Sequence, residues 1–253
     1  VKEGAQAAAN LRDSWIRFPD RTYTPLEMIR FAKDNMSSYG LPGAKGRYSD
    51  TNYMLLGMII EGLTGESLAD AVRERIFTPL GMGSTYLRQV AVPDPEGREM
   101  AHIYARVEEG GQADLVDITG FESFKACGAS GGFVSTAGDM YAFMKALVGN
   151  RFGLSDATLA AMKDWVPLSE DHEGMEYGFG LMRWDFAASL GPDSGLPPGF
   201  PAIWGNSGSS GAFMYYCEEL DLYIIGAADI EPFYEGPFDF IISAMLKRLD
   251  AED

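Results

Sequence analysis

The chain has 253 residues, 46% hydrophobic and 23% charged, a globular composition that excludes wholesale disorder and allows one large domain or two lobes. Twenty Lys and Arg against 37 Asp and Glu give a net charge of −17, which argues against a nucleic-acid partner, because phosphate binding needs clustered cations. The longest apolar run, Tyr53 to Ile60, is far shorter than the ~18 residues of a membrane span, so no span is expected.

Along the chain, residues 5–13 suggest a short helix. Thr24-Pro25-Leu26-Glu27 reads as a helix start, with a capping Thr, Pro in the first turn and Glu three residues on, and the helix should run to about Met36. Ser38 to Gly46 is a Gly- and Pro-rich loop. Tyr53 to Leu63 favours helix by its length and ends at Thr64-Gly65. Ser67-Leu68-Ala69-Asp70 opens another helix to about Phe77, which Pro79 should stop. Residues 88–120 read as loops and short strands. Thr136 caps a helix with apolar residues at Met140, Phe143, Met144 and Leu147, and Ser155 to Trp165 is a further helix.

After residue 165 the texture changes. Tyr177 to Trp184 alternates aromatic and small residues. Ala212 to Cys217 and Leu222 to Ala228 are β-rich runs around an acidic turn, and Phe238 to Leu249 closes as an amphipathic helix. The reading is therefore α+β: residues 1–165 as a mostly helical lobe and 166–253 as an antiparallel-sheet lobe with a C-terminal helix.

Four residue patterns carry candidate chemistry or rule it out. Cys127 and Cys217 form no CxxC pair, and with only His102 and His172 a His-rich metal site is not expected, so neither metal nor cofactor is called for. Whether the two thiols pair stays open. Gly128-Ala129-Ser130-Gly131-Gly132 matches GxSxG, but a nucleophile elbow needs a strand before it, and an acid and a histidine after it. No apolar strand precedes Gly128, and only His172 follows, within the acidic run 170–173, which reads as a solvated loop. Trp184, Trp204 and the Met residues at 54 and 58 read as core. Tyr48-Ser49-Asp50 alone carries little weight, since a tyrosine two residues from a carboxylate is common.

Its context is more telling. Tyr48-Ser49-Asp50-Thr51-Asn52-Tyr53, Leu55-Leu56-Gly57, Ile59-Ile60-Glu61 and Pro79-Leu80-Gly81-Met82 are followed by Gly131-Gly132-Phe133-Val134-Ser135-Thr136-Ala137-Gly138-Asp139-Met140 and Gly205-Asn206-Ser207-Gly208-Ser209. This succession resembles the serine β-lactamase-like family of class C β-lactamases, D-alanyl-D-alanine carboxypeptidases, D-aminopeptidases and related esterases. The resemblance covers most of residues 40–230, in order, and implies a β-lactamase/transpeptidase-like fold. It also makes Gly128–Gly132 a structural loop.

The resemblance implies acyl transfer through a serine ester. The family's nucleophile belongs to a Ser-x-x-Lys motif well before the tyrosine motif, and the 253 residues contain none; Ser14-Trp15-Ile16-Arg17 has Arg in the Lys position. The expectation is that the nucleophile and the first sheet strands lie before Val1, supplied by an N-terminal fragment of the same protein, with a second copy as the other candidate partner. Without those strands, Ala212–Cys217 or its neighbours should present an open edge. By resemblance Tyr48 shuttles the proton between serine and leaving group, and Asp50 hydrogen-bonds the lysine or the substrate amide. Asn206, Ser207, Gly208 and Ser209 form the substrate-binding and oxyanion strand, the Ser209 N–H being the oxyanion donor. A free tyrosine has a pKa near 10, so acting as a base near pH 7 needs a shift of roughly 3 units, about 4 kcal/mol, from neighbouring cations. Lys45 and Arg47 are near in sequence. Asn206 stands where the family carries Lys or His, which tilts the substrate towards esters, amides or D-amino-acid peptides without a required carboxylate. The other reading is a non-catalytic relative serving as a binding module. Family resemblance implies a periplasmic or secreted location.

Overall fold

The capping signal at Thr24 is realised in full. In the computed structural model, which describes residues 11–37, 40–41, 46–88, 99–109, 112–168, 173–228, 230–231 and 236–251, Thr24 Oγ1 accepts from Glu27 N at 3.2 Å. Glu27 in turn accepts from Thr24 N at 2.7 Å. The chain forms two units, Val1–Tyr39 with Ser49–Asp139, and Gly40–Tyr48 with Met140–Asp253.

The first unit is helical at its start. Helix α1 covers residues 11–17, so the helix expected at 5–13 lies partly outside the described residues. Helix α2 is Pro25–Asn35 and α3 is Asp50–Thr64, beginning ahead of the apolar run, with Ser49 at its N-cap. Helix α4 (Leu68–Val72), capped by Ser67, widens into a π turn over Arg73–Phe77 and continues as α5 (Thr78–Leu80). Pro79 does not stop the helix: it sits in the first turn of α5, where its missing N–H is not needed, and Gly81 at φ 70° ends the run instead.

Strands β1 (Tyr86–Leu87), β2 (Tyr104–Glu109), β3 (Gln112–Asp117) and β4 (Phe133–Val134) follow, β2 pairing with β3 and β1 with β4, both antiparallel. A 3-10 run over Glu122–Ser130 is packed by fully buried Ser123, whose Oγ donates to Trp15 O at 2.9 Å and whose N–H donates to Pro19 O at 3.0 Å. Met28, Met54 and Ala126 form the core, with Leu11, Trp15, Tyr23 and Ile29 against them. Met54 fills core as expected, whereas Met58 is 39% exposed, because only one side of α3 is covered.

Helix α6 (Ala137–Val148) opens in the first unit, where Asp139 accepts from Ser84 N at 2.9 Å and from Thr85 Oγ1 at 2.7 Å. The second unit holds its remainder and α7 (Asp156–Met162), which ends short of Trp165. Then come β5 (Val166–Pro167), β6 (Met175–Tyr177), β7 (Met182–Trp184), α8 (Phe186–Leu190), β8 (Ile203–Ser207), β9 (Ala212–Cys217), β10 (Leu222–Ala227), β11 (Ile230–Glu231) and α9 (Gly236–Asp250).

Strands β5 to β10 form one antiparallel sheet in strict chain order. Alternation on β8 sorts its side chains between two cores. Ile203 joins Tyr215, Cys217, Ile224 and, from α9, Ile241 and Met245. Trp204 joins Tyr216, Leu181 and, from α6, Met144 and Leu147. Trp204 is thus core, as expected. Strand β9 is paired on both sides, so the outer position of the sheet falls to its neighbour β10. Cys127 and Cys217 are free thiols. Among the described residues no helix is long and apolar enough to cross a membrane.

Candidate active site

The tyrosine of the 48–50 motif is placed by backbone fit. A Cβ on Gly46 would stand 2.9 Å from Pro167 O and 3.1 Å from a Val166 methyl, so only glycine lets this strap lie so close to β5. Two residues on, the Tyr48 ring meets Tyr177 of β6 edge-on, with centroids 5.6 Å apart and planes at 63°. Tyr48 remains 41% exposed, so its ring is anchored yet open to solvent.

Tyr177 pairs with Met182 of β7, and Met182 pairs with Gly205 of β8. The third-motif strand therefore runs two strand spacings, about 10 Å, from the residue that holds Tyr48. Gly205 is itself demanded by packing, since a Cβ there would lie 2.0 Å from Met214 O.

Beside it, the Asn206 side chain is tied at both ends. Nδ2 donates to Gly180 O at 3.2 Å, clasping β8 to the turn between β6 and β7, and Oδ1 accepts from Ser207 N at 2.9 Å. One amide N–H and one lone pair remain to offer a ligand. Ser207 points to the other face, where its Oγ accepts from the Tyr215 hydroxyl at 3.0 Å. Tyr215 is 1% exposed, and burial pushes its phenol above the ordinary tyrosine range. The turn closes through Gly208 N to Ala212 O at 2.8 Å and Gly211 N to Gly208 O at 3.0 Å, leaving Ser209 exposed at its tip.

Tyr48 and Asn206–Ser209 thus belong to one unit. Asp50 opens α3 in the other, in the first turn, where the helix dipole favours a carboxylate. Tyr177, Tyr215 and the Gly180 carbonyl are the supporting groups that motif reading missed. The aromatic–small alternation around 177 was their only trace.

The GxSxG reading finds no support. Ser130 ends the 3-10 run, with Oγ donating to Cys127 O at 2.7 Å and no strand leading into Gly128; His172 and Lys45 lie outside the described residues. Among the described residues no group of three or more His, Cys, Asp or Glu side chains is arranged to hold a metal ion. A surface cavity of about 480 Å³ lined by Arg17, Phe18, Pro19, Asp20 and Arg21 contains none of these groups.

A helical unit in which Asp50 opens α3, and a unit with an antiparallel sheet, a C-terminal helix, Tyr48 and an Asn-Ser-Gly strand end, define a β-lactamase/transpeptidase-like α+β protein. The Beta-lactamase family profile matches residues 12–235, and the chain belongs to that family. It is 28% identical, over 67% of its length and 42% of the other's, to an Escherichia coli O157:H7 protein named for D-alanyl-D-alanine carboxypeptidase activity. It is 30% identical to penicillin-binding protein 4 of Amycolatopsis lactamdurans, over 58% of this chain and 40% of the relative. Among solved structures, the D-amino acid amidase of Ochrobactrum anthropi SV3 complexed with L-phenylalanine amide superposes with a TM-score of 0.72 at 26% identity, covering 92% of this chain and 66% of the amidase. The chain spans about two-fifths of the length of these curated relatives.

Proposed function

We propose that the chain supplies the tyrosine and third-motif portion of a serine hydrolase site that works through an acyl-enzyme on an ester, an amide or a D-amino-acid peptide. The observation that carries it is the anchoring of Tyr48 on Tyr177, two strand spacings from the Asn206 strand in the same unit. Carboxypeptidase and amidase names among its relatives support the reaction class.

The nucleophilic serine comes from outside these 253 residues, in an N-terminal portion of the same protein. Its Oγ attacks the substrate carbonyl while its proton passes to the Tyr48 phenolate. The phenol then gives that proton to the departing amine or alcohol, and water repeats the sequence in reverse to release the acid. The Ser209 N–H donates to the oxyanion, and Asp50 holds the lysine of the incoming motif or the substrate amide. Asn206 offers one neutral N–H to a substrate carbonyl, which suits substrates lacking a required carboxylate. Ser207, held by Tyr215, fixes the strand end.

A non-catalytic binding module is the second reading. The observation favouring it is that both polar atoms of Asn206 already have partners within its own unit.

Intact-mass analysis after exposure to a fluorophosphonate or benzylpenicillin tests both readings. The 253-residue chain alone should take no adduct; an adduct at Ser130 or any other serine of this chain refutes an outside nucleophile. Joined to a segment bearing Ser-x-x-Lys, the protein should be acylated on that segment, and Tyr48→Phe should slow acylation by roughly 10²–10⁴-fold. Acylation unchanged by Tyr48→Phe refutes the proton-shuttle role, and no acylation favours the binding module.

A further inference from the structure

Between β6 and β7 the chain turns through Gly178, Phe179 and Gly180, and only the middle residue carries a side chain. Its two neighbours have no choice. A Cβ on Gly178 would stand 2.0 Å from Met162 O, and Gly180 has a φ of 73°. Three hydrogen bonds fix the turn. Phe179 N donates to Met162 O at 3.2 Å, Gly178 N donates to Leu181 O at 2.8 Å, and Gly180 O accepts from Asn206 Nδ2 at 3.2 Å. The backbone is thus held from three directions, yet the ring it carries is 72% exposed.

Phe179 stands between the two groups that the acyl-transfer reading uses. Two residues before it, Tyr177 anchors the Tyr48 ring; one residue after it, Gly180 is clasped by Asn206. Two residues of chain span at most about 7 Å, so Phe179 is close to both, and all these groups lie in one unit. A lone exposed aromatic on an ordinary surface needs no explanation. Here the reaction supplies one. The Tyr48 phenol has to reach the departing oxygen or nitrogen, so a segment that brings the nucleophile must leave room beside Tyr48 for the leaving group.

We propose that Phe179 is a specificity-determining residue, the wall of a subsite for an uncharged aromatic leaving group, an aryl or benzyl alcohol or amine. This subsite rests on the acyl-transfer reading. As the ester or amide bond breaks, the Tyr48 proton passes to the departing oxygen or nitrogen, and the ring attached to that atom packs against Phe179. Ring pairs favour offset or edge-to-face contact, and a ring held by a fixed backbone gives up little freedom in making one. Asn206 is neutral and offers a leaving-group carboxylate no charge to pair with.

D-Alanine benzyl ester and D-alanine methyl ester test it, on the protein joined to its Ser-x-x-Lys segment. Both esters give the same acyl-enzyme, so they differ only in the group that departs, and kcat/KM reads the acylation step. The wild type should favour the benzyl ester beyond the ratio at which hydroxide alone hydrolyses the two. Phe179→Ala should lower kcat/KM for the benzyl ester about tenfold, mainly through KM, and change the methyl ester less than about twofold. Phe179→Leu should recover part of the loss. The urea midpoint should stay where it is, because the ring is exposed and the backbone bonds of the turn remain. A wild type indifferent to the ring, a preference that survives in Phe179→Ala, or an equal loss on both esters would overturn the subsite. Should neither ester turn over, the acyl-transfer reading falls on its own account, and saturation-transfer NMR of the intact benzyl ester reads the subsite directly. Affinity about fivefold weaker in Phe179→Ala would then support it, and equal affinity or no binding would overturn it.

Discussion

Replacing Tyr215 with phenylalanine removes one hydroxyl from the interior of the sheet and little else. The side chain is 1% exposed, and its hydroxyl donates to Ser207 Oγ at 3.0 Å, with the Met182 sulfur 3.8 Å away. A neutral hydrogen bond contributes about 1 kcal/mol net, and a half-buried Ser207 oxygen left without its donor adds up to about another 1 kcal/mol. Tyr215→Phe should therefore cost about 1–2 kcal/mol. Ser207→Ala breaks the same bond from the other side and strands a fully buried phenol, costing about 1–3 kcal/mol. The double variant leaves neither partner stranded, so the two losses should fall short of additivity by about 1 kcal/mol or more. Urea unfolding followed by tryptophan fluorescence measures all four proteins, with the midpoint read at constant slope. Additivity within about 0.3 kcal/mol would show that the two hydroxyls do not depend on each other and would refute the role given to Tyr215. The pH dependence has a definite sign. Burial raises the folded phenol's pKa, so its stabilising share is complete below about pH 10, where an unfolded tyrosine ionises, and is lost above it. Phenylalanine has no such share to lose, so the gap between wild type and Tyr215→Phe should narrow in alkali.

Three further outcomes are expected. Gly205→Ala places a Cβ 2.0 Å from Met214 O, backbone that cannot yield without parting β8 from β9, so the loss should exceed about 3 kcal/mol and appear as low soluble yield or a large fall in urea midpoint. Hydrogen bonds from Thr119, then His102, hold Asp117 down to about 2, so its contribution is present above about pH 4 and lost as pH falls towards 2. Asp117→Asn should flatten that part of the acid unfolding curve. Burial pushes the Cys217 thiol up to about 11, so wild-type stability should begin to decline near pH 9, by up to about 1.4 kcal/mol per pH unit for that proton. In Cys217→Ala the decline should begin nearer pH 10, when the tyrosines start to ionise; identical urea midpoint curves between pH 8 and 10.5 would refute the assignment.

What the sequence made legible was local. The Thr24–Glu27 capping box, the Ser67 cap and the two β-rich runs that became β9 and β10 each carry their signal within a few residues. Strand β8 does not: Gly205, Asn206 and Ser207 are poor strand formers, held extended by β7 and β9 on either side, and family resemblance alone put them on a strand. Pro79 misled because a proline forbids helix only where its N–H is needed, and the π turn ahead of it hands over a fresh first turn. The apolar run at 53–63 announced a helix correctly but not which of its sides is covered, so Met58 reads as core and lies in the open. Tyr48 was visible as a motif, while its anchor Tyr177 was not. That contact depends on a glycine strap fitting against β5, a coincidence of shape between segments far apart in the chain.

The chain order of the sheet also sets a timetable for its formation. Because every strand from β6 to β10 pairs with its immediate predecessor, each new strand leaving the ribosome finds its partner already made, and loop closure costs little entropy at each step. The helical unit cannot be completed so promptly. Its buried Ser123 must find Trp15 and Pro19 across more than a hundred residues of sequence. The strap at Gly46 waits longer still, since Val166 and Pro167 must appear before it has anything to lie against. During synthesis, then, the segment that carries Tyr48 is made early and docked late, and the candidate site is among the last parts of the molecule to take its shape.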